Sequence, residues 1–177
     1  MSLINEVNLV QANSSDLDRL RPTCISLYTL FFGGYWEQQG LQKYLDTQFG
    51  LSQMTRDLSS PDIRYYLIAF QNQDVGFIKV NLNATLEGLS SNTCELEKMY
   101  INTEKKGLGI GQCVFNLLCA KLRLAGKSSI FCGVLDTNKA AIGFYNKVGF
   151  RYHSHIKLDL EGFKTGLNGL NWMVIDI

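Results

Sequence analysis

Three glycines at alternate positions, Gly107, Gly109 and Gly111, stand between an alternating stretch, Thr93 to Ile101, and an apolar run at helical spacing that ends at Gly126. A strand that enters a helix through a turn stripped of side chains belongs to a layered α/β architecture. It also makes an anion site. Without side chains on one face of the turn, successive backbone N–H groups can approach a phosphate that the helix dipole attracts as well. The expected guest is a pyrophosphate.

Two familiar phosphate folds do not fit. A dinucleotide-binding unit places its glycines in the first strand-to-helix turn and an acidic residue about 20 positions later. Here about 100 residues come first, and the next strand reads Ser129-Ile130-Phe131-Cys132. No Gly-Lys-Ser/Thr closes the motif, so it is not a P-loop.

The 177 residues suit a single domain, 1–177, that buries roughly 70% of its unfolded surface. A charged fraction of 19% and a formal charge of +1 give no basic footprint for nucleic acid. Cys24, Cys94, Cys113, Cys119 and Cys132 lie in apolar segments without C-x-x-C spacing and read as reduced, buried thiols. The opening residues lack a basic stretch leading into an apolar one, and no window is long and apolar enough to span a membrane. A soluble cytoplasmic protein is expected, and the sequons at Asn13 and Asn83 then carry no information.

Along the chain, Val7 to Gln11 reads as a strand, and Ser14 or Ser15 as the cap of a helix whose apolar positions run from Leu17 to Phe31. Pro22 predicts a kink or a late start, and Gly33-Gly34 a break. Leu41 to Phe49 and Leu51 to Leu58 continue as helix. Tyr65 to Phe70 and Val75 to Leu82 form a hairpin around the polar turn 71–74. In Thr93 to Ile101, simple alternation sets Cys94, Leu96, Lys98 and Tyr100 against Glu95, Glu97, Met99 and Ile101. A helix from Gly111 to about Ala125, a buried strand Ile130 to Val134, and a short helix capped by Asp136 or Thr137 and ending near Gly149 follow. A strand from Phe150, with segments Tyr152 to Leu160 and Leu170 to Ile177 as two final antiparallel strands, completes the chain.

Taken together, Glu95-Leu96-Glu97-Lys98-Met99-Tyr100-Ile101, the loop Lys106 to Gly111, and Asn138 with Ala141-Ile142-Gly143-Phe144-Tyr145 resemble the GNAT superfamily of acyl-CoA-dependent N-acetyltransferases. The segment Tyr35 to Leu45 and the stretch Gly133 to Asn138 look closest to bacterial PaiA-like spermidine/spermine acetyltransferases. Lys106 departs from the family's Gln or Arg, although an ammonium still meets a phosphate as a point charge. The resemblance implies an α/β (α+β) fold with a mixed, mostly antiparallel twisted sheet of about seven strands, flanked by helices and splayed between 93–101 and 130–135. Acetyl-CoA would lie in the splay and no metal is expected. Backbone groups of Met99, Tyr100 and Ile101 would meet pantetheine, the segment Lys106, Gly107, Leu108, Gly109, Ile110, Gly111 and Gln112 the pyrophosphate, and Asn138 the pantetheine arm. Tyr145 would contact the cofactor as general acid, and Glu95, ahead of Glu97, would be the base.

The chemistry asks for these residue types. An alkylamine with a pKa near that of lysine, about 10.4, is protonated at neutral pH and cannot attack a thioester until a carboxylate, directly or through water, takes its proton. Glu95 or Glu97 could serve, a strand N–H near Tyr100 could stabilise the oxyanion, and the Tyr145 phenol could protonate the departing thiolate. His153 and His155 sit at strand spacing without further ligands nearby in sequence, so they do not make a zinc site.

Within the resemblance, acceptor choice lies with the early aromatic residues Phe31, Phe32, Tyr35 and Trp36, with Glu37, and with the loop near Glu161. Aromatic walls with a few carboxylates suit a cationic small-molecule amine, a polyamine on the PaiA likeness. Leu170 stands where related sequences carry an acid three positions before the methionine of the last strand, here Met173. A peptide or protein acceptor, which needs an open groove, and an inactive acetyl-CoA sensor are the alternatives. The resemblance admits a homodimer, with no nucleic-acid or membrane partner.

Overall fold

The computed structural model describes residues 6–37, 39–102, 104 and 107–177. The elements run β1 (Val7–Gln11), α1 (Leu17–Phe32), α2 (Gly40–Phe49), α3 (Leu51–Ser59), β2 (Ile63–Phe70), β3 (Gln73–Asn81), β4 (Thr93–Ile101), α4 (Ile110–Leu124), β5 (Ser129–Leu135), α5 (Lys139–Val148), β6 (Arg151–Lys157) and β7 (Gly169–Asp176). They build one seven-stranded sheet in the order β1-β2-β3-β4-β5-β7-β6. Among the described residues only the β4–β5 neighbours are parallel, because the α4 crossover joins them. The α/β layered fold expected from the sequence is the one observed.

Helices cover both faces of the sheet. Val114, Phe115, Leu118 and Leu122 of α4 lie in a core with Ile78, Val80, Leu96 and Ile130. On the other face Leu20, Cys24, Phe49 and Met54 of α1–α3 pack with Tyr65, Leu67 and Phe77. Burial on both faces is why β2 and β3 read as near-continuous apolar runs. All five cysteines are unpaired, and among the described residues no helix is long and apolar enough to cross a membrane.

Local chemistry differs from the expectation in four places. Asn13, not Ser14 or Ser15, caps the first helical turn: its side chain accepts from the Ser15 N–H at 2.9 Å, while Asp16 accepts from the Asn13 N–H at 3.0 Å. Pro22 lies inside α1, which begins at Leu17, so the late start is not observed. The β2–β3 turn needs only Gln71 and Asn72, both in left-handed conformation (φ 51° and 61°), so β3 begins at Gln73. Asn138, not Asp136 or Thr137, caps α5, accepting from the Ala141 N–H at 3.1 Å.

A bulge decides the geometry of β4. Lys98 pairs with Lys79 and Leu96 with Val80, leaving Glu97 as the extra residue. Alternation therefore reverses there. Cys94, Leu96, Met99 and Ile101 share the α4 face, whereas Lys98 and Tyr100 join the other, Lys98 over the Phe49 ring at 5.8 Å. Simple alternation places Lys98 and Tyr100 with Cys94 and Leu96, and the bulge overturns it. A second bulge at His153, between the Tyr152–Met173 and Ser154–Trp172 pairs, gives the two histidines different neighbours. His153 contacts Ser154 at 3.1 Å and His155 contacts Asp136 at 3.3 Å.

Candidate active site

β4 and β5 pair only at Thr93–Ser129, Cys94–Ile130 and Glu95–Phe131, then diverge. The Thr93 and Ser129 hydroxyls, 2.8 Å apart, pin the closed end. Past it, a cavity of about 430 Å³ opens, floored by β4 from Leu96 to Ile101. Asn138, Phe144 and Tyr145 of α5 line one side and Tyr28, Phe31 and Phe32 of α1 the other, with Phe163 of the β6–β7 loop above.

At the α5 end, Gly107 (φ 82°) and Gly109 (φ 75°) adopt the left-handed conformation that admits glycine without strain, and Gly109 caps α4. Ile110 is buried and anchors the turn, while Leu108 is exposed. A Cβ on Gly111 would stand 3.1 Å from the Phe144 ring, so the turn and α5 meet along the cavity wall. The Gln112 side chain bonds Asn116 at 3.1 Å along α4, leaving its backbone N–H in the first turn. Lys106 lies outside the described residues.

The helix N-terminus fits a pyrophosphate. Among the described residues the β5-facing edge of Met99, Tyr100 and Ile101 has no strand partner in the splay, and its backbone groups fit the amides of a pantetheine arm. Asn138 lines the same wall and commits its oxygen to the α5 cap, which leaves its amide N–H₂ to donate.

Tyr145 also lines the cavity, its ring edge-on to Phe144 and Phe150 at 5.3 and 5.0 Å. Burial above all, with Cys132 and Tyr100 nearby, raises its phenol well above the ordinary range and keeps it protonated.

The two glutamates differ. Glu97 lines the cavity and pairs with Lys79 at 3.0 Å; Lys79 reaches Asp57 at 3.0 Å, and Asp57 also accepts from Gln53 at 2.7 Å and from Tyr65 at 3.1 Å. Burial disfavours the Lys79 charge, but Glu97 and Asp57 outweigh it, and its pKa rises. Glu95 does not line the cavity. Burial, and then the Glu97 charge, push its carboxyl up to about 7 against the opposing pull of Lys98 and Lys79. Sequence reasoning missed Asp57, Lys79 and Lys98. The available signal was charge in apolar surroundings, such as Asp57 one turn after Met54 on the buried face of α3.

Of the expected acceptor residues, Phe31 and Phe32 reach the cavity, whereas Tyr35, Trp36 and Glu37 do not. Tyr35 stacks on Phe163 at 6.0 Å, and Glu37 is exposed. Trp36 is buried between Tyr44 and Phe163, at 4.8 and 4.9 Å. They hold a strap instead. The Glu37 N–H donates to Gly162 O at 2.7 Å and the Lys164 N–H to Tyr35 O at 2.9 Å. Glu161 pairs with Lys43, and Lys164 Nζ donates to Gly34 O at 2.7 Å. The β6–β7 loop is thereby laced to the α1–α2 connection across the aromatic end of the cavity. Among the described residues no three His, Cys, Asp or Glu side chains gather as metal ligands.

An N-acetyltransferase of Lactobacillus delbrueckii subsp. lactis from the pepI 3′ region, itself uncharacterized, is 23% identical over 152 residues, 85% of this chain and 88% of that protein. Among solved structures, PaiA N-acetyltransferase of Thermoplasma acidophilum in complex with coenzyme A superposes with a TM-score of 0.75 at 16% identity, covering 100% of both chains. A mutant of the spermidine N-acetyltransferase SpeG of Vibrio cholerae gives 0.66 at 13% identity over 97% and 94% of the two chains. Both likenesses speak for the fold. The sequence profile of the Acetyltransferase (GNAT) family matches residues 22–150, which spans the glycine turn, the splayed strands and Tyr145, and the chain belongs to that family of acetyl-CoA-dependent acyltransferases.

Proposed function

We propose that the protein transfers the acetyl group of acetyl-CoA to a small primary amine by direct attack, with both substrates in the one cavity. The observation that carries this reading is the continuity of that cavity from the α5 wall, with Asn138 and Tyr145, to the aromatic α1 wall past Glu97. Acetyl-CoA supplies an activated thioester. Glu97 faces the cavity and attracts the incoming ammonium. Glu95, with its carboxyl near pH 7, takes the amine's proton through water, and Tyr145 holds a proton for the thiolate that leaves. No cysteine, serine or histidine lines the cavity among the described residues, and burial raises the Cys132 thiol well above the ordinary range. That favours direct attack over an acetyl-enzyme.

The laced strap favours a small acceptor over an extended peptide, which would need the groove it crosses. SpeG is by name a spermidine acetyltransferase, and on that likeness a polyamine is a second reading. A cytoplasmic setting accords with five unpaired thiols.

Release of CoA from acetyl-CoA on addition of primary amines tests the reading; no release with any amine would refute it. A base must be deprotonated to act, so kcat/KM is expected to rise with pH through about 7 and level off. Glu95→Gln should lower the plateau and remove that limb. An unchanged profile would exclude Glu95. The same shift has an opposite consequence for stability. A carboxyl whose folded pKa is raised from 4.5 to about 7 costs stability as pH rises through that interval. Glu95→Gln should therefore raise the melting temperature at pH 8 and leave it unchanged at pH 4.

The strap is testable through its tightest contact. A Cβ on Gly162 (φ 77°) would sit 2.7 Å from Gly40 Cα, backbone against backbone. Gly162→Ala is expected to displace the strap and raise the amine KM about tenfold, with acetyl-CoA affinity unchanged. Equal loss of both affinities would show that the strap serves the whole fold and not the acceptor end.

A further inference from the structure

The charges around the acceptor end deepen the acetyltransferase reading, on which this inference rests. Among the described residues the cavity has a single carboxylate in its lining, Glu97, and a single ammonium, Lys98. Glu97 is already held by Lys79 at 3.0 Å, with Lys98 at 3.9 Å from the same oxygen. Lys98 is 7% exposed and otherwise lies over the Phe49 ring. Of the other acidic groups nearby, Asp57 is held by Lys79, Gln53 and Tyr65 and Glu161 by Lys43, while Glu95, the proposed base, stands outside the cavity lining and burial favours its neutral form.

The walls facing these charges are apolar. Tyr28 stacks on Tyr44 at 4.6 Å, and Tyr100 packs against Phe31 and Phe32 at 5.7 and 5.5 Å. Leu158 and Leu160 line the strap side. Such walls can bury an aromatic or aliphatic body and seat one ammonium over ring faces near Glu97. A second ammonium in the same space meets no uncommitted carboxylate in the cavity lining and is repelled by Lys98. Burying an unpaired charge is far more costly than burying an apolar group.

We propose that the acceptor is an apolar monoamine, an arylalkyl or alkyl primary amine with no second positive charge, and not a polyamine. Leu170 also lines the cavity and adds another apolar side chain to it.

The test compares kcat/KM at saturating acetyl-CoA for 2-phenylethylamine and hexylamine with that for spermidine, spermine and cadaverine, alongside acetyl-CoA binding by calorimetry. The monoamines are expected to be preferred by on the order of 100-fold, the factor that a few kcal/mol of unpaired ammonium burial gives. Lys98→Met, checked for an unchanged melting temperature, should narrow the gap by relieving repulsion of the second charge. If Lys98→Met does not fold, wild-type rates with hexylamine and its diamine counterpart 1,6-diaminohexane supply the same comparison at fixed chain length. Preference for the polyamines or for a peptide amine would overturn the proposal and leave the acetyltransferase reading standing. Binding of acetyl-CoA without turnover of either amine class would overturn it as well. Absence of both binding and turnover would refute the acetyltransferase reading itself, and the acceptor assignment with it.

Discussion

Lys79→Met is expected to destabilise the fold by about 3–5 kcal/mol, the usual consequence of removing one partner from a buried ion pair. Lys79 bridges Asp57 and Glu97 at 3.0 Å each, and its side chain is 8% exposed. Methionine keeps most of the apolar stem but loses the ammonium, with its place 5.6 Å from the Tyr65 ring centroid, and leaves two carboxylates without a cation between them. Asp57 retains Gln53 and Tyr65 as donors, whereas Glu97 keeps only Lys98 at 3.9 Å. Urea denaturation should show a lower midpoint with an unchanged slope. Adding Asp57→Asn in the same chain should recover part of the loss, because one of the stranded charges is then gone. If Lys79→Met costs less than about 1 kcal/mol, the network is solvated in solution and behaves as a surface pair would.

Tyr145→Phe is expected to lower turnover by about 10²–10⁴-fold, the range typical of losing a positioned general acid. Acetyl-CoA affinity should change little, since phenylalanine preserves the edge-on contacts with Phe144 and Phe150. Stopped-time measurement of CoA release together with equilibrium binding separates the two quantities. Unchanged turnover at saturating substrates would take Tyr145 out of the mechanism, and a parallel loss of binding would make it a packing residue.

What could be read along the chain was what depends on local pattern. The glycine turn, the α4 stripe and the paired strands follow from periodicity over a few residues, and the seven-stranded splayed sheet agrees with the family resemblance. What could not be read depends on partners distant in sequence. The bulge at Glu97 exists only because β3 sets the register of β4, so alternation alone put Lys98 and Tyr100 on the wrong face. The Asp57–Lys79–Glu97 network joins a helix and two strands. The strap depends on Gly40 and Gly162 approaching closer than any side chain would allow, and neither glycine announces this in its own neighbourhood. The same approach turns Trp36 inward against Phe163, which is why a tryptophan expected at the acceptor wall supports that wall from behind.

The central claim is that both substrates occupy one cavity and that the amine attacks the thioester directly. Initial rates measured over a grid of acetyl-CoA and amine concentrations test it. The account predicts intersecting double-reciprocal lines, as for a ternary complex; parallel lines, with an acetylated protein trapped in the absence of amine, would contradict it.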